Sequence, residues 1–166
     1  MKTSRLFTIV LALLTLAGCS EIIEPKPLTY TQLLTGAEKK TWTLTSYEVI
    51  DDGEASGPIP ASQLFNNTCE ADDQFVFYAN AERKYEYVNG PTKCATSEPE
   101  VLLEDTWSFI NATATLEFVF PIFGNVKYPY IVKSLTENKM IIELYLDELD
   151  NVNASYRFVL SSSSSK

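Results

Sequence analysis

From Thr41 onward, apolar side chains recur at every second residue, and this period of two limits what the chain can become. In "TWTLTSYEVI" Trp42 and Leu44 alternate with threonines, as in a half-buried strand rich in β-branched and aromatic residues. "DQFVFYANAERKYEYVNG" places Phe75 and Phe77 on one face and Tyr85 and Tyr87 on the facing strand, with the corner at Ala79–Glu82. "EVLLEDTWSFI" sets Leu103, Asp105, Trp107 and Phe109 on one side, and "TLEFVF" sets Leu116, Phe118 and Phe120 on one face. "KYPYIVKSL", which carries Tyr130, is broken by Pro129, predicting an edge strand or a bulged start. "NKMIIELYL" alternates Met140, Ile142, Leu144 and Leu146, and "SYRFVL" alternates Tyr156, Phe158 and Leu160. The stretch Asp51–Asn67, with two glycines and two prolines, reads as a long loop.

About eight strands joined mostly by short turns make an all-β antiparallel meander. It closes into an up-and-down barrel or, as the alternative, splits into a β-sandwich. The barrel is favoured. Ahead of it, "TYTQLLTGAEKK" predicts a turn or two of helix, capped by Thr29, apolar at Leu33 and Leu34 and ended by Gly36. A barrel of this size is either filled by side chains or holds one small ligand. Trp42, Tyr85, Tyr87, Trp107, Phe109, Phe118, Tyr130, Tyr156 and Phe158 are therefore candidates for pocket or core, with Asp105 on the face of Trp107 and expected at a rim.

The N-terminus carries an address. Lys2 and Arg5 precede an apolar run from Leu6 to Ala17, shorter than the ~20 residues of a membrane-spanning helix and typical of a cleaved leader. Leu16-Ala17-Gly18-Cys19 resembles the bacterial lipobox, which is cut before a cysteine that then carries acyl chains. That resemblance implies a leader over residues 1–18, lipidation of Cys19, and a tether over 19–28 containing two of the prolines. Several acyl chains would hold the protein durably on a bilayer. Ser20, rather than Asp, after the cysteine implies the outer membrane, facing either the periplasm or the surface. The domain then spans 29–160, followed by a polar tail over 161–166.

Charge and composition exclude several classes. The chain has 13 basic and 22 acidic side chains; without the leader's Lys2 and Arg5 the count is 11 against 22, net −11. Such a surface repels phosphate backbones, so no nucleic-acid partner is expected. Histidine is absent, which removes His-activated nucleophiles and His-containing zinc sites. The six glycines are scattered, so no phosphate loop forms. Asp51-Asp52 and Asp72-Asp73 read as solvated charge, and "DELDNVN" lacks calcium-loop spacing. No catalytic residue, metal or cofactor is expected, and the protein reads as non-enzymatic. With Cys19 acylated, Cys69 and Cys94 remain as an even pair in an oxidising setting. Pairing Phe75 with Tyr87 gives an index sum of 162 and the two cysteines give 163, placing them nearly opposite beyond the strand ends. A disulfide is expected there, with two separate thiols as the alternative.

"LLTGAEKKTWTLTS" resembles the opening of the lipocalin-like domains of small Gram-negative lipoproteins. "CEADDQFVFYANAERKYEY", "TKC" and "TWSF" resemble that family's first cysteine with its hairpin, its second cysteine and its later Trp strand. The resemblance implies a small calyx-like barrel with Trp42 and Trp107 in the core and a Cys69–Cys94 disulfide. One departure stands in the hairpin turn, where Ala79-Asn80-Ala81-Glu82 replaces the usual Asp-Gly. The expected function is binding of a small apolar or amphipathic molecule by an outer-membrane-anchored barrel. The alternative is a filled barrel that engages an envelope protein or a glycan through its loops.

Overall fold

The computed structural model describes residues 27–51, 53–146 and 155–162. The leader, Cys19 and the tether up to residue 26, the "DELDNVN" turn and the last four residues of the tail lie outside them. Thr29 caps helix α1 (Tyr30–Thr35): its hydroxyl accepts from the Gln32 amide while its own amide donates to the Gln32 side chain at 2.9 Å. The two orphan donors are satisfied reciprocally. Gly36 ends the helix at φ +65°.

Among the described residues eleven strands follow: β1 (Lys39–Asp51), β2 (Glu54–Ala55), β3 (Ile59–Pro60), β4 (Gln74–Tyr78), β5 (Lys84–Val88), β6 (Val101–Thr106), β7 (Ser108–Ile110), β8 (Thr115–Val119), β9 (Lys127–Leu135), β10 (Lys139–Tyr145) and β11 (Ser155–Ser161). They form one continuous antiparallel sheet in the order β6-β5-β4-β1-β11-β10-β9-β8-β7. Its two ends, β6 and β7, are consecutive in the chain. The sheet therefore rolls into a nearly closed up-and-down barrel, not a sandwich.

The stretch read as one strand, "EVLLEDTWSFI", is divided at Trp107. Its first half pairs with β5 and its second with β8. Trp107 is the pivot: its amide donates to the Arg83 carbonyl at 2.9 Å and its indole to the Tyr78 carbonyl at 3.0 Å. The Arg83 guanidinium lies 5.4 Å from the ring, a cation–π contact. Arg83 itself sits at φ +52°, in the position a glycine would take at a cost of about 1 kcal/mol less. Asn80 completes this glycine-free turn, accepting from Arg83 N on its carbonyl and from Lys84 N on its side chain.

The hairpin register is as the index sum requires, with Phe75 opposite Tyr87 and Phe77 opposite Tyr85. Two other expectations need correction. The loop after β1 contains β2 and β3, which pair back onto β1 at Ile50–Asp51 and Ser46–Tyr47. β1 also starts two residues before Thr41 and far outruns β4. Its distal half would otherwise be a bare edge, and the loop satisfies those backbone groups. Pro129 lies in β9, an interior strand, opposite Glu117 of β8. Pairing of β9 with β10 extends only to Ile131, and the bulge falls at Lys133, between Ser134 and Val132. Pro129 is thus paired on the β8 side and unpaired on the β10 side, where a missing N–H costs nothing in the ladder.

Trp42, Phe75, Phe77, Tyr85, Phe118, Phe120, Tyr130 and Phe158 are fully buried. Phe118 is central, with ring centroids 5.3 Å from Phe77, 5.5 Å from Tyr85 and 4.6 Å from Tyr130. α1 covers one end of the barrel, burying Leu34, whose carbonyl accepts from the Trp42 indole at 2.9 Å. At this closed end also lie the turns at 79–83, 111–114 and 136–138. The opposite end, the mouth, gathers the segments 53–73, 89–100 and 120–126.

Candidate functional site

β7 and β8 pair over only three residues, so the junction between β6 and β8 is a seam. Lys127, opposite Val119 at the end of β8, reaches across it to Asp105 at 3.1 Å and to the Thr106 hydroxyl at 3.0 Å. Burial alone would raise the Asp105 pKa. The Thr106 amide and Lys127 outweigh it and hold the carboxyl below its usual range. Asp105 is therefore a clasp on the seam.

Mouthward of this clasp the chain after β8 leaves the sheet. A 3₁₀ turn at Pro121–Phe123, ended by Gly124 at φ +80°, carries it away from β6. A cleft of about 480 Å³ opens between them, within the roughly 300–1,000 Å³ of small-molecule sites. One wall is apolar: Leu102 and Leu103 from β6, Pro121 and Ile122 from the turn, Leu64 and Phe65 from the loop above. The other is polar, with Glu70, Asp73, Tyr87, Asn89 and Glu98; Asn66, Asn67 and Asn125 stand at the lip.

The polar wall is held by a dense set of loop contacts. Cys69 and Cys94 form the expected disulfide, Cα atoms 5.3 Å apart, joining the 3₁₀ segment Thr68–Asp72 to the loop before β6. Glu98 accepts from the Cys94 and Ala95 amides at 2.8 and 3.1 Å. Asn89 donates to the Pro99 carbonyl at 2.6 Å. Asp72 accepts from the Thr92 amide, and Asp73 from the Gly90 amide at 3.0 Å and the Tyr87 hydroxyl. Gly90 packs so tightly that a Cβ there would collide with the Asp72 carbonyl and carboxylate.

The Asp72-Asp73 pair is thus not solvated charge: Asp73 is only 4% exposed. The loop at 89–92 needs acceptors, and these two carboxylates supply them. Burial is the main force raising the Asp73 pKa, with Asp72 and Glu70 adding to it against the two donors. Burial likewise raises Tyr87, and the neighbouring Asp73 carboxylate raises it further.

Of the residues singled out from the sequence, Tyr87 lines this cleft. Trp42, Tyr85, Phe118, Tyr130 and Phe158 are brought together in the packed interior. Trp107 and Phe109 are buried near the closed end, Phe109 stacking on Tyr30 at 5.4 Å. Tyr156 is half-buried and stacks on Phe158. Most of the cleft comes instead from loop residues without any period. The one signal for them was local: four asparagines among residues 66, 67, 89 and 125, in segments that carry little else of fixed pattern.

Glu143 was also missed. It projects from the outer face yet is 1% exposed, bound to Arg157 at 2.7 Å, Lys133 at 3.3 Å and the Tyr145 hydroxyl at 2.6 Å. Burial would raise its pKa, but these donors lower it. No protein-family model matches the chain, and no curated protein matches it in sequence.

Proposed function

We propose that the protein is a lipocalin-like lipoprotein of the Gram-negative envelope, anchored to the outer membrane through acylated Cys19. Its barrel binds a small amphipathic molecule at the mouth, without catalysis. The observation that carries this reading is the cleft's two unlike walls, one of leucine, isoleucine and phenylalanine, the other of amides and carboxylates. An amphipathic molecule matches both at once. The carboxylates of Asp73 and Glu98 already hold backbone amides, which suits a rigid binding wall better than proton transfer. The packed aromatic interior supports a ligand site at the mouth rather than deep in the barrel.

Two measurements on the full chain test this. Labelled palmitate supplied to expressing cells should enter the protein and be lost with Cys19→Ala. A neutral fluorescent arylamine should bind the purified protein, and Leu103→Glu, a charge on the apolar wall, should weaken it about tenfold or more. Binding unaffected by Leu103→Glu in a folded variant would refute the cleft. The exposed rim at Val101, Leu102 and Val126 would then favour the second reading, a protein-docking mouth.

A further inference from the structure

The described chain begins beside α1, at the closed end, and the cleft lies at the opposite end. Nine peptide steps separate Leu28 from Cys19, a reach of at most about 30 Å. An acylated Cys19 therefore keeps this end of the barrel near the bilayer. The same end exposes large apolar side chains: Leu28, Tyr30 and Ile110 are each more than two-fifths accessible, and Tyr30 is braced against Phe109 by stacking. Tyrosine with aliphatic neighbours is the combination that settles at the headgroup level of a membrane.

Charge divides along the same axis. At the closed end Lys39, Arg83 and Lys139 stand among Glu38, Glu82 and Glu137, a near balance. The mouth segments carry Glu54, Glu70, Glu98 and Glu100 against Lys93, which is itself paired with Glu100 at 3.1 Å. A negative lipid surface repels the mouth and tolerates the closed end.

We infer that the closed end, through Leu28, Tyr30 and Ile110, docks on the surface of the bilayer that anchors the chain, so that the cleft faces away from that bilayer. The partner is a lipid surface, and the cleft exchanges its ligand with the aqueous side or with a partner there. The inference rests on the anchoring through Cys19 proposed above.

The test uses the full, acylated chain in vesicles of phosphatidylethanolamine and phosphatidylglycerol containing a brominated lipid. An environment-sensitive dye is attached at Asn111→Cys, beside Ile110, or at Asn66→Cys, on the cleft lip. Flotation with the vesicles reads the anchor separately from orientation. The expected result is flotation of both, loss of most emission from the dye at 111, and unchanged emission at 66. Adding Leu28→Gln and Ile110→Gln should restore emission at 111 while flotation persists. Flotation with equal emission at both positions, or with quenching at 66, overturns the docking but leaves the anchor standing. Failure to float overturns both.

Discussion

Tyr85 and Tyr130 are both wholly buried, and their hydroxyls have no hydrogen-bond partner among the described residues. A buried hydroxyl without a partner forfeits hydration of about 1–3 kcal/mol. Tyr85→Phe and Tyr130→Phe should therefore leave the protein as stable as before or more so, by up to about 2 kcal/mol, in chemical denaturation. Glu143 gives the opposite case. Its carboxylate is buried but answered by Arg157, Lys133 and Tyr145, and its pKa is lowered. Its contribution is present above the ordinary glutamate range and is lost as pH falls through the lowered value in the folded state. Glu143→Gln should cost about 1 kcal/mol near neutrality, because Arg157 keeps its ion pair with Glu48 at 2.7 Å and both Arg157 and Lys133 reach solvent, so neither cation is left stranded. It should also flatten the fall in stability on acidification, measured by denaturation at a series of pH values. Neither residue's situation is legible from alternation. Period two assigns Tyr85 inward and Glu143 outward, but whether a hydroxyl finds a partner or a carboxylate is covered depends on neighbours on other strands, as Arg157 and Lys133 are for Glu143.

Strands and turns were read more readily than the segments between them. The β4–β5 hairpin follows from index arithmetic because facing residues in an antiparallel pair obey one sum, and the same arithmetic placed Cys69 near Cys94. Capping of α1 by Thr29 was legible for a similar reason, being local chemistry within four residues. By contrast, the split at Trp107 depends on contacts with Tyr78 and Arg83 of a different hairpin. The pairing of β2 and β3 with β1 depends on the length mismatch between β1 and β4. Most of the cleft lies in this less legible material, with Tyr87, Leu102 and Leu103 as its strand residues. Its polar wall rests on the disulfide and on Gly90, so these are where it should yield. Cys69→Ser with Cys94→Ser should cost about 3 kcal/mol and speed hydrogen exchange in residues 89–100 more than in β10. Gly90→Ala should loosen the same loop, through collision with Asp72, and weaken probe binding while the barrel core keeps its protection.

On the scale of the whole molecule, the nearly closed sheet of the described residues has its ends at β6 and β7, and the cleft lies where they part. The chain crosses from β6 to β7 at Trp107, Lys127 clasps the seam beside it, and above the clasp the two sides part. Aromatic rings fill the barrel below, and α1 covers its far end. An all-β antiparallel meander with one short helix was readable from period and spacing, with the barrel favoured over a sandwich. Where it opens was not, because that depends on how two unequal strands and a 3₁₀ turn meet. The most direct test is a chemical-shift map of the isotope-labelled protein titrated with the neutral arylamine. Shifts concentrated at Leu64–Glu70, Asn89, Leu102–Leu103 and Ile122–Asn125 are expected, with Phe118, Tyr130 and Phe158 unmoved. Shifts centred on those interior rings, with the cleft residues silent, would contradict a mouth-bound ligand and place it inside the barrel.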